Sequence, residues 1–282
     1  MGMAHVTSGR ATFTYQDLIN TNPSTTPKSF IPKSLLKRML IRENELRLSD
    51  EYQKRYCEAE KISSSSSWLN VTDELQRQII HEFNLDDEMD DALLCLRCAT
   101  QIYPDLKHIP LYVQYNRARD GDLKIGDIAP NVPVVQLNGQ QTQLFDGLKS
   151  SSTVLIDLYN VYYKYINFRF IYILEAHAQD EWPICSARWS PTEMPIQYNQ
   201  THTIEERLAV AKDFIRDFSF QMSIVIDKPE DNLFEKLYSS WPVRIYVIDK
   251  DYRLTYIAQP SESMLELNEL IEHLQLIMKL NE

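Results

Sequence analysis

Residues 241–258 read WPVRIYVIDKDYRLTYIA and contain two short apolar runs on either side of a polar turn. The first run, Val243–Ile248, comes directly after Pro242, and the second, Leu254–Ala258, follows the turn residues Asp249–Asp251. Both runs are rich in β-branched and aromatic residues, which are typical of strands. The spacing therefore predicts two strands that pair back on each other immediately behind a proline.

Upstream of this pair, strand and helix patterns alternate. Val132–Leu137 and Thr142–Phe145 flank Asn138-Gly139, a dipeptide typical of β-hairpin turns. The other runs predict strands at Val154–Tyr159, Phe168–Leu174 and Met222–Ile226, and helices at Glu205–Phe218, Leu233–Tyr238 and Met264–Leu280. A hairpin, a βαβ pattern and then two strands and a helix behind a proline predict an α/β, thioredoxin-like fold over residues 116–282.

The residues before this domain divide into two predicted parts. Residues 1–30 are polar and aperiodic, and we expect them to be disordered. Residues 31–115 predict a helical extension: an exposed amphipathic helix from Pro32 to Glu60, a flexible break at Ser63–Ser67, and two strongly amphipathic helices. Thr72 is the expected cap of the first of these two helices, and Pro104 ends the second.

Composition excludes several function classes. The 282 residues include 29 basic and 40 acidic side chains, and the net charge of −11 argues against nucleic-acid binding and against docking on anionic lipid. No run is apolar enough for a membrane span or a signal peptide, and four cysteines are too few for a disulfide framework. A cytoplasmic protein with reduced thiols is expected.

The segment FIYILEAHAQDEW, residues 170–182, resembles the iodothyronine deiodinase signature, in which a strand ends in Glu-Ala-His and Asp-x-Trp follows. HTIEER at 202–207, VID at 225–227 and WPVRIYVI at 241–248 are similar to other segments of that family, and LKIGDIAP at 123–130 resembles the opening of redoxin domains. The resemblance implies a thioredoxin-like oxidoreductase of a selenoprotein family, with thyroxine 5′-deiodinase activity.

The resemblance also implies the chemistry. A selenolate or thiolate at a helix N-terminus, where its pKa is lowered, removes iodine from a small aromatic substrate, and a thiol reductant restores it. No bound cofactor, metal, nucleic acid or membrane is implied, and a homodimer is left open. Redoxins place a cis proline before the strand that faces the nucleophile, so Trp241–Pro242 is predicted to be a cis peptide bond.

The sequence departs from the family at the nucleophile itself. Tyr159-Asn160 runs directly into Val161, and no cysteine occurs between Cys98 and Cys185. Eight residues separate the two predicted strands, whereas a parallel crossover needs about a dozen or more. The chain is either a degenerate paralogue or the product of a gene model that skipped a selenocysteine-coding segment. We favour the second explanation because the flanking signature is intact.

We therefore expect this exact chain to be inactive as an enzyme. The function implied by the resemblance is a deiodinase-like oxidoreductase that removes iodine from an aromatic substrate. The alternative function is a non-catalytic thioredoxin-like module that binds a ligand or a partner protein.

The resemblance implies a set of site residues. The catalytic candidates are His177, as proton donor or hydrogen-bond partner of a phenol, and Glu175; both follow a core strand, where α/β sheets place ligand sites. The substrate-binding candidates are His202, Arg207, Arg244 and Trp182. Alternatives stay open: His177 as an exposed loop histidine, and either arginine as a member of a structural ion pair.

The cysteines carry weaker signals. Cys95 and Cys98 form a CxxC pattern, but they lie in mid-helix rather than at a helix N-terminus, so structural packing is predicted. Cys185 is expected to be an incidental loop cysteine, with a resolving thiol as the alternative. A second CxxC, which a zinc site would require, does not occur in the sequence.

Overall fold

The computed structural model describes residues 31–60, 67–148, 153–154, 166–185, 195–258 and 267–280. The chain divides into two units. The sheet unit comprises the described residues of Arg117–Ala176 and Gln200–Glu282, and the helical unit comprises the described residues of Phe13–Asn116 and His177–Asn199. The stretch His177–Asn199 thus belongs with the helices, which the sequence did not indicate. Residues 1–30, for which disorder is expected, lie outside the described residues.

The helical unit is built on amphipathic helices with a shared apolar core. Its described α-helices are α1 (Lys33–Leu48), α2 (Asp50–Glu60), α3 (Ser67–Glu82), α4 (Met89–Arg97), α5 (Ala99–Ile102) and α6 (Leu111–Tyr115), with 3₁₀ turns at Asp86–Glu88 and Pro104–Leu106. Leu75 and Ile79 of α3 pack with Leu96 of α4, as the helical spacing predicts. Most of the predicted break at Ser63–Ser67 lies outside the described residues.

The predicted single exposed helix over 32–60 is wrong in two respects. It is two helices, because Ser49 takes an extended backbone conformation between α1 and α2 and its hydroxyl donates to the Leu46 carbonyl at 2.7 Å. It is also not an exposed helix, since Leu36 and Leu40 are fully buried in the core. Thr72 does not cap α3: it lies inside that helix, buried.

The sheet unit contains a mixed sheet of seven strands in the order β2-β1-β5-β4-β3-β6-β7. The strands are β1 (Pro133–Gln136), β2 (Gln141–Gln143), β3 (Thr153–Val154), β4 (Asn167–Tyr172), β5 (Ser223–Ile226), β6 (Ile245–Ile248) and β7 (Leu254–Ala258). The central strands β3, β4 and β5 are parallel, and the outer strands are antiparallel to their neighbours. The helices are α7 (Ile204–Asp217), α8 (Leu233–Tyr238) and α9 (Leu267–Leu280).

Side chains of the strands alternate between the two faces of this sheet. On one face, Val225 of β5 packs with Phe234 of α8. On the other face, Ile226 packs with Ala211 of α7, and residues of β6 pack with Leu270 of α9. The predicted hairpin, the parallel strands and the antiparallel pair after the proline are therefore confirmed.

The connection from β3 to β4 is where the sequence departs from the family. β3 pairs in parallel with β4, with Val154 opposite Phe168, as predicted. The rest of the predicted strand Val154–Tyr159 and the junction between Asn160 and Val161 lie outside the described residues. The Trp241–Pro242 peptide bond is cis, as predicted.

Candidate functional site

An apolar cavity of about 340 Å³ lies in the sheet unit. The end of β4 and the residues after it, as far as Ala176, form one wall. Aromatic and aliphatic side chains supply most of the lining, among them Phe145, Ile173, Phe234, Tyr238 and Tyr246. A cavity of this size, apolar with a few polar groups, is typical of a small-molecule site.

Glu175 lines this cavity, at the carboxyl end of β4 where the sequence placed it. Its Oε1 accepts a hydrogen bond from the Tyr172 hydroxyl at 2.8 Å. Burial raises the pKa of the Glu175 carboxyl, although that hydrogen bond and the nearby Arg207 oppose the shift. Glu175 therefore keeps its proton to a higher pH than an exposed glutamate does.

Gln200 fixes the backbone of Glu175. Its Oε1 accepts from the Glu175 N–H at 3.0 Å, and its Nε2 donates to the Glu175 carbonyl at 3.1 Å. The Trp241 indole N–H also donates to that carbonyl, at 3.4 Å. Sequence reasoning missed Tyr172 and Gln200, and no pattern in the sequence marks Gln200, since it lies 25 positions from Glu175.

Arg207 is buried beneath the site rather than in the cavity wall described here. Its side chain is only 1% exposed, and it donates to the Thr201 hydroxyl at 2.9 Å, the Asp227 carbonyl at 2.9 Å and the Asn232 side chain at 2.8 Å. Burial lowers the pKa of Arg207, with Asp227 and Glu175 opposing the shift. The guanidinium thus links the loop before α7, through Thr201, to the loop after β5, through Asp227 and Asn232.

Arg244 lines the cavity and donates hydrogen bonds to backbone carbonyls at the start of the sheet unit. Nη1 donates to the Asp120 carbonyl at 2.8 Å, and Nη2 donates to the Arg119 carbonyl at 2.7 Å. Gly121 has φ +77°, and a side chain there would collide with Ser239. The described contacts therefore use Arg244 to anchor the start of the sheet unit, and a role toward a substrate carboxylate remains a prediction.

His177 and Trp182 lie together in the helical unit. The His177 Nδ1 is 3.1 Å from the Trp182 carbonyl oxygen, and the two rings meet edge to face with centroids 4.6 Å apart. Because a carbonyl can only accept, the neutral imidazole carries its proton on Nδ1 and presents Nε2 as an acceptor. Burial lowers the pKa of His177, with the hydrogen bond opposing the shift, so the neutral ring is favoured.

His202 occupies a different kind of position. Its side chain is exposed, and its backbone N–H donates to Glu206 Oε2 at 2.8 Å, just before α7. Thr203 and Glu206 complete a reciprocal capping box at the start of that helix. The structure thus places Glu175 and Arg244 at the cavity, and it places His202 at a helix end.

The four cysteines, Cys57, Cys95, Cys98 and Cys185, are thiols rather than disulfides, and all belong to the helical unit. Cys95 and Cys98 are buried, and burial raises the pKa of both thiols. A raised pKa leaves little thiolate near neutral pH, which is the reverse of what a reactive cysteine needs. The CxxC pattern is therefore not a redox pair of the usual kind.

The order and direction of the strands define the fold class of the sheet unit. A core of three parallel strands, flanked by an antiparallel pair on one side and a hairpin on the other, with helices on both faces, makes the sheet unit a thioredoxin-like domain. Residues 150–276 match the family model of iodothyronine deiodinase. This match, together with the relative described next, confirms the resemblance to the iodothyronine deiodinase family found in the sequence.

A type I iodothyronine deiodinase from Xenopus laevis is 26% identical over 158 residues, which cover 50% of this chain and 58% of that relative. Among solved structures, a peroxiredoxin-like protein from Aquifex aeolicus is 13% identical, covers 55% of this chain and 87% of its own, and has a TM-score of 0.34. A yeast mitochondrial 1-Cys peroxiredoxin is 14% identical, covers 56% and 79%, and has a TM-score of 0.35. No helix in the described ranges is both long enough and apolar enough to cross a membrane.

Proposed function

We propose that the sheet unit is a deiodinase-like oxidoreductase domain that binds a small iodinated aromatic molecule in the cavity beside Glu175. We further propose that this exact chain does not complete the reduction. One observation carries the proposal: most residues of the cavity lining lie in the range that matches the deiodinase family model, whereas every cysteine of the chain belongs to the other unit.

The lining of the cavity supports an aromatic ligand that carries a polar group. Two buried polar atoms of lining residues, Ser240 Oγ and Arg169 Nε, have no hydrogen-bond partner in the described part of the chain. A buried polar atom left unpaired costs about 1–3 kcal/mol, and such atoms are frequent at functional sites. A ligand with a hydroxyl or carboxylate group would offset part of this cost after a small local adjustment.

The proposed reaction is the reductive removal of iodine that the family resemblance implies, and this chain lacks the group needed for its first step. A selenolate or thiolate would take the iodine, a proton would replace it on the ring, and an external thiol would regenerate the attacking group. The sheet unit supplies no thiol for the first step. For His177, we propose the role of hydrogen-bond partner to a phenol, as the resemblance to the deiodinase family implies.

Ligand binding tests the first half of the proposal. Thyroxine and 2,6-diiodophenol are titrated by calorimetry into the full chain and two matched variants. Ile173→Trp fills the proposed site, and Ile215→Trp fills the lining of a second cavity of the same volume, about 340 Å³. We expect Ile173→Trp to weaken binding by about tenfold or more, or roughly 1.4 kcal/mol, and Ile215→Trp to leave it unchanged. Equal binding by parent and Ile173→Trp would contradict the proposal.

A non-catalytic binding module is the second candidate function, and the absence of cysteine from the sheet unit favours it. Transcript sequence across the junction of Asn160 and Val161 separates the two. An added stretch coding for threonine, then selenocysteine or cysteine, then proline would support the enzyme. Uninterrupted coding would support the module.

A further inference from the structure

The side-chain amide of Gln53, in α2, makes two hydrogen bonds to the backbone of Pro183–Cys185, one as donor and one as acceptor. Gln53 Nε2 donates to the Pro183 carbonyl at 3.0 Å, and Gln53 Oε1 accepts from the Cys185 N–H at 3.0 Å. A third hydrogen bond, from Nε2 to the Arg47 carbonyl at 2.7 Å, fixes the amide on its own side. Both the nitrogen and the oxygen of the Gln53 amide are therefore hydrogen-bonded. The amide connects α2 to Pro183 and Cys185, which are 130 and 132 residues away in sequence.

Pro183–Cys185 follows directly after Trp182, whose carbonyl is hydrogen-bonded to His177. The Trp182 carbonyl, which accepts from His177 Nδ1 at 3.1 Å, belongs to the peptide bond between Trp182 and Pro183. The Trp182 N–H donates in turn to the Ala178 carbonyl at 3.1 Å, which closes a turn behind His177. Because a peptide unit is planar and stiff, a shift of Pro183 moves the carbonyl that orients the imidazole.

Packing adds to the hydrogen bonds. Ile184 packs against the core of the helical unit, and Pro183 is buried. His177 has φ +60°, a left-handed conformation that costs a histidine free energy and persists only where its surroundings hold it. The contacts of Trp182 through Cys185 with α2 and the helical core are the surroundings that hold this conformation.

We propose that Gln53 is a positioning residue for His177: through its paired hydrogen bonds to Pro183 and Cys185, α2 sets the orientation of the imidazole. The inference gives α2 a part in orienting His177 within the helical unit. It rests on the proposed function only in treating His177 as a ligand partner, because the positioning itself is a property of the unliganded chain.

The test uses a matched pair of glutamine substitutions in the helical unit. Gln53→Met removes the three hydrogen bonds and keeps the length and the helix propensity of the side chain. Gln78→Met is the control, since Gln78 accepts from the Tyr52 hydroxyl at 2.5 Å and donates to Glu82 at 2.8 Å, away from Pro183. His177 is titrated by NMR in the full chain, and its signal is assigned by its loss in His177→Asn.

In the parent we expect His177 to titrate below 6.5, the usual imidazole pKa, because burial lowers the pKa of its ring. Gln53→Met should lower the midpoint further, because it weakens the hydrogen bond from His177 Nδ1 to the Trp182 carbonyl, which opposes the effect of burial. It should also speed hydrogen exchange of the Cys185 amide by about tenfold or more. Gln78→Met should leave both unchanged. The midpoint reports the environment of the His177 ring, and the exchange rate reports the hydrogen bond of the Cys185 amide. A uniform loss of stability would not change these two readouts alone.

An unchanged His177 midpoint in folded Gln53→Met, with the Cys185 amide exchanging faster, would overturn the inference. If Gln53→Met does not fold, Gln53→Glu replaces it: this side chain still accepts from the Cys185 N–H but cannot donate to Pro183, so a partial shift is expected and no shift would overturn the inference. A shifted midpoint with unchanged thyroxine binding would support the positioning role and contradict the proposed role of His177.

Discussion

At the scale of single residues, burial favours the neutral forms of two candidate side chains, Glu175 in the sheet unit and His177 in the helical unit. The Glu175 carboxyl keeps its proton to a higher pH because it is buried, and the His177 imidazole stays unprotonated to a lower pH for the same reason. A protonated Glu175 carboxyl could donate a hydrogen bond to a ligand in the cavity without bringing a charge into its apolar lining.

Replacement of His177 tests its backbone conformation. His177→Val should lower the free energy of unfolding by about 1–3 kcal/mol, because a β-branched residue is strained at φ +60°. His177→Asn should cost less, since asparagine tolerates the left-handed region. Urea unfolding of both variants at pH 7.5 measures the difference. Equal losses of stability would mean that the positive φ is not held in solution.

Glu175→Gln tests the raised pKa of the carboxyl. A group whose pKa is higher in the folded chain contributes its stability below the unfolded pKa, about 4.5, and loses it as the pH rises through the folded pKa. Glutamine stays neutral throughout, so the melting temperature of the variant relative to the parent should be higher at pH 7 than at pH 4. Asp227, whose pKa is also raised by burial, is present in both chains and cancels in the comparison. A difference that is constant with pH would refute the assignment.

At the scale of elements, one buried carboxylate connects the first and third helices of the helical unit. Glu43 of α1 is 2% exposed, and its Oε1 accepts from Arg47 Nη2 at 2.7 Å and from Gln76 Nε2 of α3 at 3.0 Å. Arg47 also donates to the Tyr56 hydroxyl of α2 at 3.1 Å. The network therefore joins three helices around one negative charge.

Glu43→Ala should destabilise the chain by about 3–5 kcal/mol, because it leaves the Arg47 guanidinium buried without its carboxylate. The control is Glu45→Ala on the same helix, which removes an exposed ion pair with Arg42 at 3.1 Å and should cost far less. Chemical unfolding followed by circular dichroism compares the two. A loss for Glu43→Ala no larger than for Glu45→Ala would show that the network does not stabilise the unit.

The elements themselves could be predicted because their signals are local. Asn138-Gly139 marks the hairpin, and Gly139 takes the positive φ of +84° that such a turn requires. The break at Ser49 gives a weaker signal, since a serine is compatible both with a helix end and with a continuous helix. The charged residues around the leucines of α1 favour an exposed helix, whereas the spacing of Leu36 and Leu40 places both on one buried face.

The positions of the site residues could be predicted only in part. Glu175 reaches the cavity as expected, because it follows a core strand of the sheet. Arg207 and Arg244 look the same in sequence whether they face a ligand or the protein, and their carbonyl partners come from distant loops. Gln53 reads as a surface residue of α2, and its contact with Pro183 depends on tertiary placement that no local pattern encodes.

At the scale of the whole chain, the cavity and the cysteines belong to different units. Residues 150–276 match the deiodinase family, and the cavity lies in the sheet unit. The only cysteine inside the matched range is Cys185, which belongs to the helical unit and is bound through its backbone N–H to Gln53. The chain spans 58% of the length of its Xenopus laevis relative.

Restoring the missing segment should restore a reactive thiol. A loop with the sequence threonine, cysteine, proline, followed by a helix and inserted between Asn160 and Val161, should give thiol-dependent release of iodide from thyroxine, because a helix N-terminus lowers the pKa of a thiol. In that graft, His177→Ala should slow turnover by about 10²-fold or more if His177 takes part in proton transfer. A graft that folds and binds thyroxine but releases no iodide would contradict the expectation.

The central claim is that this chain keeps the binding site of a deiodinase domain without its attacking atom. The most direct test measures iodide released from thyroxine by the unmodified full chain with dithiothreitol as reductant, beside the Cys185→Ser variant and a sample without protein. We predict no release above the sample without protein, under conditions in which the same preparation binds thyroxine. Thiol-dependent release by the unmodified chain would contradict the claim: its loss in Cys185→Ser would assign the attack to Cys185, and its persistence would place the chemistry elsewhere in the molecule.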